Sequence, residues 1–176
     1  MSAVAYTGET ILITAEGIGT KLTSVVLSSI GKDHPLPIVR KTPPFTFSLA
    51  IPRDVTPGMY PLRAMASTES GNGLNSNVLW IDVERRDQPV SIRTGRETYT
   101  VNSNSYGPVT VYGTYEDGST ADLTGSTQTS YIPEDSSMVR IQAYGVIRPL
   151  GKPGTTYVDI RVGDKSLRVK VIVETD

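Results

Sequence analysis

The sequence predicts an all-β protein built from two tandem antiparallel β-sandwich domains. Apolar residues recur with a period of two, as expected for strands that bury one face. These alternating segments are short and follow one another about every 8–12 residues, a spacing typical of β-sandwiches. Each window long enough for an amphipathic helix is interrupted by turn formers, and the 176 residues include 16 Gly and 12 Pro. Together these observations favour many turns and no long helix.

The first domain is predicted to span residues 1–84. Its clearest strand is the segment 45–51, where Phe45, Phe47, Leu49 and Ile51 alternate with polar or small residues. Pro61 lies inside a further alternating segment and has no amide hydrogen, which predicts an edge strand or a bulge there. The complete set of predicted strands in this half covers residues 10–15, 24–28, 45–51, 59–66 and 78–83.

A domain boundary is predicted at residues 84–89, so that the second domain spans residues 85–176. The boundary segment is charged, ends in Pro89 and follows the last strand of the first half. Pro89 biases Gln88 towards extended geometry. A link this short and stiff is expected to restrict relative domain motion.

The second half contains the strongest alternation of the chain. In the segment 166–173, Leu167, Val169, Val171 and Val173 fall on one face and polar residues on the other. The segment 156–162 repeats the pattern, and the intervening Gly163-Asp164 predicts a hairpin. Two further strands are predicted over residues 109–115 and from residue 120.

Three carboxylates lie within the stretch EDGSTAD, residues 116–122, which suggests either a metal-binding loop or a turn. An EF-hand loop needs oxygen ligands at alternate positions, a central glycine and a distant glutamate. Gly118 follows Asp117 directly, and the next carboxylate is Asp122, so the ligand spacing does not fit. Because strands flank the stretch, Asp117-Gly118 predicts a hairpin turn.

The same residues carry a family resemblance. The stretches Tyr115–Ser119, Asp122–Thr124 and 133–141, followed by Gly145-Val146-Ile147, resemble the group-2 bacterial immunoglobulin-like domains of invasin- and intimin-type surface proteins. The resemblance covers residues 89 to 174. Such domains often carry Trp before the central segment, where this chain has Tyr131, which is expected to fill that core position.

Residues 4–84 are similar to a more generic immunoglobulin-like module, through the stretches 43–47 and 51–64. The two resemblances imply an immunoglobulin-like sandwich in each half, part of a larger polypeptide, and an extracellular or cell-surface location. The N-terminal residues MSAVAYTGET do not have the pattern of a signal peptide. The location is therefore an expectation that comes from the resemblance.

Composition excludes several classes of partner and site. Lys+Arg 17 against Asp+Glu 18 leaves no basic excess for nucleic acid or an anionic membrane surface. No apolar run approaches the length of a membrane-spanning helix, so no membrane insertion is expected. The absence of cysteine excludes disulfides and thiolate metal sites. The partner classes that these exclusions leave are a protein and a surface glycan.

Catalytic chemistry finds little support. His34 is the only histidine; Asp33 beside it does not make a triad, and no G-x-S-x-G motif exists. Two carboxylate pairs, Asp117 with Asp122 and Glu134 with Asp135, would be the candidates for glycoside hydrolysis. Both lie in polar, loop-like segments where solvated charge is the usual explanation. The sequence therefore predicts a protein that is not an enzyme and that needs no cofactor or metal.

The predicted boundary contains three more carboxylates. Asp82, Glu84 and Asp87 would either share a weakly bound calcium ion or form solvated contacts with the neighbouring arginines. Solvated contacts are favoured because exposed ion pairs are common and contribute little.

Trp80 is the single candidate contact residue. If Leu79, Ile81 and Val83 face the core, Trp80 faces outward, where it would contact a partner, stack on a sugar ring or pack between the domains. Of these three, packing between the domains is favoured. Two functions follow: a non-catalytic spacer or adhesion and assembly module, or an accessory carbohydrate-binding unit of a secreted enzyme. The second would use Trp80 and tyrosines such as Tyr99, Tyr106 and Tyr112.

Overall fold

The computed structural model describes residues 2–29 and 38–175. In these residues the chain is built from β-strands, with a single 3-10 turn at Ala143–Gly145, which confirms the predicted all-β class. Contacts between Cα atoms group the chain into two units: Met1–Val55 with Met59–Val83, and Glu84–Asp176 with Thr56–Gly58. No helix in the described ranges has the length and apolar character needed to cross a membrane.

The first unit is an immunoglobulin-like sandwich of two sheets. Its larger sheet has the strand order β1-β8-β6-β3-β4, with β7 added to β6, and its smaller sheet pairs β2 with β5. Each predicted strand overlaps an observed one, with ends that differ by at most two residues. The strands are β1 Ser2–Tyr6, β2 Thr10–Thr14, β3 Leu22–Ser29, β4 Ile38–Arg40, β5 Thr46–Ala50, β6 Gly58–Thr68, β7 Gly73–Asn75 and β8 Leu79–Glu84.

The core of the first unit follows from the alternation in the sequence. Phe45 and Phe47 are buried beside Val25 and Leu27 of β3, as the period-two pattern predicts. A second cluster buries Ala5, Ile51, Leu62, Ile81 and Val83. Apolar side chains from both sheets therefore meet in the interior, which is the arrangement that stabilises a sandwich.

Pro61 does not lie in an edge strand. Its strand, β6, lies between β8 and β3, so that part of the prediction is wrong. The pairing of β6 with β3 runs from Leu62 to Thr68. Pro61 precedes this paired stretch, so its missing amide hydrogen removes none of the pairs described between the two strands.

The second unit is also a sandwich. One sheet has the order β10-β17-β16-β13, a second has the order β12-β11-β9, and β14 pairs with β15. β15 is joined to the chain ahead of β11 by the hydrogen bond from Ile147 N–H to Gly107 O, 3.0 Å. The strands are β9 Ser91–Thr94, β10 Thr98–Val101, β11 Val111–Thr114, β12 Thr120–Asp122, β13 Thr129–Pro133, β14 Val139–Ile141, β15 Ile147–Pro149, β16 Gly154–Val162 and β17 Lys165–Val173.

A single valine-rich core fills the second unit. The predicted inward faces of β16 and β17 are confirmed: Val158, Ile160, Val169 and Val171 are at most 1% exposed. The two strands form a hairpin across Gly163-Asp164, with Val162 paired to Lys165. These long paired strands form the centre of the sheet on which the rest of the unit packs.

Tyr131 packs against this core, as predicted. Its hydroxyl donates to the carbonyl oxygens of Thr124 at 3.0 Å and Val109 at 3.3 Å, and burial raises its pKa. Gly145 lies against the ring: a Cβ there would be 2.7 Å from a ring atom, and its φ is +65°. Glycine is therefore required at position 145 for both space and backbone conformation.

Candidate functional site

The first and last parts of the second unit are joined by a parallel strand pair. β10 pairs with β17 in the register Thr98↔Lys170 to Val101↔Val173. At its ends, Lys170 N–H donates to Glu97 O at 3.1 Å and Glu174 N–H donates to Val101 O at 2.9 Å. We call this pair the terminal seam. It is an exception to the predicted antiparallel pairing, and it places the start of β10 and the end of β17 at opposite ends of one ladder.

The chain reaches the terminal seam by changing sheets. β9 pairs with β11, whereas β10, three residues later in the chain, pairs with β17. Gly95 lies at the change and its N–H donates to Thr110 O at 3.1 Å. The segment that contains β9 and β10 therefore contributes one strand to the sheet of β11 and one strand to the sheet of β17.

The stretch EDGSTAD forms the predicted hairpin turn. It connects β11 to β12, with Thr114 paired to Thr120. Gly118 has a φ of +77°, a conformation that glycine adopts without steric cost. The Asp117 carboxylate accepts hydrogen bonds from the backbone N–H and the hydroxyl of Ser119, at 2.9 and 2.5 Å. The carboxylate thus closes its own turn.

The other carboxylates considered for catalysis have similar local partners. Asp122 accepts hydrogen bonds from the backbone N–H and the hydroxyl of Thr124, at 2.9 and 2.5 Å. Asp135 accepts the same pair of bonds from Ser137, and Glu134 pairs with Arg168 at 3.2 Å. These contacts are those of turns and surface ion pairs. In residues 2–29 and 38–175 no group of three or more His, Cys, Asp or Glu side chains is arranged to hold a metal ion.

The pKa values of these aspartates follow from their hydrogen bonds. The Ser137 hydroxyl and N–H, with Lys152 beside them, lower the pKa of Asp135 to about 2. The Ser119 hydroxyl and N–H lower the pKa of Asp117 in the same way. Both groups are anionic near neutral pH because the bonds favour the charged form. A catalytic acid would need a raised pKa instead.

Glu84 is buried and hydrogen-bonded, contrary to the expectation of a solvated contact. Glu84 is 4% exposed. The two oxygens of its carboxylate accept hydrogen bonds from the Ser126 hydroxyl, at 3.0 and 2.8 Å. The Thr127 N–H and hydroxyl donate to the same carboxylate at 2.9 and 3.0 Å. A buried carboxylate needs this number of donors to offset its lost hydration. No local sequence pattern indicates this burial, because Ser126 and Thr127 lie more than 40 residues away.

Arg85 and Asp87 lie against the hairpin that connects β11 to β12. The Arg85 guanidinium makes two bonds to the Asp87 carboxylate, at 3.0 and 2.7 Å, and lies 3.6 Å from the centre of the Tyr115 ring. The bond to Arg85 lowers the pKa of Asp87 and burial raises that of Tyr115. Bidentate pairing combined with ring stacking fixes the segment at the start of the second unit.

Trp80 faces outward from β8, as its place in the alternation predicts. It is 42% exposed, whereas Ile81 and Val83 are buried at 2% and 3%. Whether Trp80 contacts a partner stays a prediction. The three tyrosines of the carbohydrate-binding hypothesis lie in the second unit. Tyr99 lies in the core and Tyr106 is half exposed. Tyr112 lies on β11, and the Arg93 guanidinium is 4.6 Å from the centre of the Tyr112 ring. His34 lies outside the described residues.

Comparison with known proteins leaves the family unassigned. No family model matches the sequence, and no curated protein matches it. Similar solved structures include the fibronectin(III)-like modules of Clostridium thermocellum CbhA, at 14% identity and a TM-score of 0.38 over 98% of this chain and 89% of that one. Domains 4 and 5 of the S-layer protein SbsC have 14% sequence identity and a TM-score of 0.36, over 70% of this chain and 68% of that one. The D00-D0 domain of intimin has 14% sequence identity and a TM-score of 0.36, over 96% of this chain and 94% of that one.

Similarity at this level carries no argument about family or function. By its own strand order, the protein is an all-β chain of two immunoglobulin-like sandwich units.

Proposed function

We propose that this chain is a non-catalytic tandem immunoglobulin-like module of a larger bacterial surface or secreted protein, and that it serves as a spacer or assembly unit that carries tension. The observation that supports this best is the terminal seam of the second unit, Thr98–Val101 paired in parallel with residues 170–173.

The direction of pairing decides how the seam responds to tension. Tension that passes through the seam loads β10 at its start and β17 at its end. In a parallel pair these are opposite ends of the ladder, so the bonds are sheared together. In an antiparallel pair the load would meet the bonds one after another. Simultaneous rupture needs more force because no single bond, at about 1 kcal/mol net, can fail alone.

The rest of the second unit holds β17 firmly on its other side. β17 pairs with β16 along its full length, from Lys165 to Val173. Val169, Val171 and Val173 anchor it in the core, each at most 3% exposed. Tension that reaches the seam therefore acts between β10 and a strand that is fixed to the main sheet.

Single-molecule pulling with two handle geometries tests the proposal. The chain has no cysteine, so engineered cysteines define unique attachment points. Glu97→Cys with Glu174→Cys loads the seam in shear, whereas Glu97→Cys with Asp164→Cys loads both strands from their starting ends and unzips them. All three positions are exposed. We expect the shear geometry to need a several-fold higher rupture force.

The two variants share one handle and alter surface residues alone, so each serves as the control for the other. Equal thermal stability should accompany the different forces. Equal rupture forces in both geometries would contradict a tension-carrying role for the seam.

A further inference from the structure

A groove of about 410 Å³ opens in the second unit between β10 and residues 105–110. Its walls include Arg96, Tyr99, Thr100, Tyr106 and Gly107. The volume lies within the range of about 300–1,000 Å³ that small-molecule sites occupy. The groove arises because β10 joins one sheet, while the segment that follows it pairs with residues 145–147 of the other half of the sandwich.

Hydrogen bonds close the groove at both ends. Gly95 N–H donates to Thr110 O at 3.1 Å at one end. At the other end, Asn102 and Ser105 exchange two backbone bonds, of 2.9 and 3.2 Å. The groove lies between these two links.

The backbone groups of Thr100 face this space from β10. Glu97 and Val101 direct their carbonyls to β17, so the alternation of the strand turns the N–H and C=O of Thr100 to the opposite edge. On the facing segment, Val109 N–H and Gly107 O pair with residues 145 and 147. The donor and the acceptor at Thr100 match a ligand rich in hydroxyl groups.

Two tyrosine rings and one arginine complete the lining. Tyr106 is 50% exposed, and Arg148 stacks 4.4 Å from its ring centre. Tyr99 provides a buried ring, 8% exposed. Arg96 is exposed and makes no ion pair with any residue that the structure describes. An unengaged guanidinium beside aromatic walls favours a carboxylate on the ligand, which it can bind with two parallel hydrogen bonds.

We propose that this groove binds one hexuronic acid unit of an acidic polysaccharide. Tyr106 contacts the sugar ring, the backbone edge at Thr100 bonds its hydroxyls, and Arg96 binds its carboxylate. The site is independent of Trp80 and Tyr112, which lie elsewhere. It is also independent of the terminal seam's mechanical role, because binding and rupture force are measured separately.

Titration of the 176-residue chain with a glucuronate-containing disaccharide tests the site, with the neutral glucose disaccharide as the matched probe. Backbone amide shifts in NMR report binding. Gly107→Leu is the blocking variant. Gly107 lines the groove and a Cβ there has no atom within 4 Å, so a leucine side chain at this position takes up part of the open space. Gly73→Leu on β7 is the control, since its Cβ is equally unobstructed.

We expect saturable shifts at Thr100 and Tyr106 with the acidic sugar alone. Gly107→Leu should abolish them, Arg96→Gln and Tyr106→Ala should each weaken binding about tenfold or more, and Gly73→Leu should leave them unchanged. No saturable shift up to about 10 mM sugar would overturn the proposal. So would unchanged binding in a correctly folded Gly107→Leu variant, or equal binding of the neutral disaccharide.

Discussion

Replacing Glu84 by alanine is expected to lower the free energy of unfolding of the second unit by about 3 kcal/mol. The Glu84 carboxylate accepts bonds from Ser126 and Thr127 in a site where the residue is 4% exposed. Truncation leaves those donors buried without an acceptor, and the cost of an unsatisfied buried group exceeds the net value of the bond that satisfied it. Amide exchange of Val158 and Ile160 in the core of that unit, measured by NMR, reports the change.

Glu84→Gln is the matched control. It keeps the shape and one carbonyl oxygen but replaces the other oxygen by an amide donor, so a loss of about 1–2 kcal/mol is expected. A truncation to alanine that left the exchange of Val158 and Ile160 unchanged would show that the buried carboxylate does not stabilise the unit.

Replacing Phe47 by alanine is expected to cost the first unit about 3–5 kcal/mol. Phe47 is fully buried at 0% exposure in the cluster with Val25, Leu27 and Phe45. The substitution removes apolar contacts and leaves a cavity that a strand-anchored site cannot fully close. Trp80 is the single tryptophan and lies in this unit, so its fluorescence follows denaturant unfolding there.

Leu12→Ala provides the comparison on the neighbouring strand. Leu12 lies on β2, which pairs with β5, but its side chain is 73% exposed. Its loss should change stability by no more than about 0.5 kcal/mol. Similar losses for the two substitutions would mean that the inward and outward faces of this sheet have been assigned wrongly.

Alternation in the sequence predicts the strands and their buried faces well, for a local reason. In a strand the side-chain period is two, so a pattern such as Leu167, Val169, Val171, Val173 fixes the buried face without knowledge of any partner strand. The hairpins at Asp117-Gly118 and Gly163-Asp164 are predictable for the same reason, because the turn chemistry is local.

Features that depend on distant pairing could not be read from the sequence. The parallel pairing of β10 with β17 joins residues about 72 positions apart, as Thr98↔Lys170 shows, and alternation does not specify strand direction. Glu84 stands in a charged run that is typical of solvated loops, yet its donors come from residues 126 and 127. The groove beside β10 exists because two consecutive segments join different sheets, and composition does not reveal where that happens.

β10 closes the second unit by pairing in parallel with the end of β17. Amide hydrogen exchange at Glu174 in the 176-residue chain tests this pairing, since Glu174 follows the last strand and its N–H donates to Val101 O at 2.9 Å. We predict exchange at least about 100-fold slower than in an unstructured peptide, with similar protection at Lys170. Exchange of Glu174 at the rate of an unstructured peptide would contradict the terminal seam and the function proposed for it.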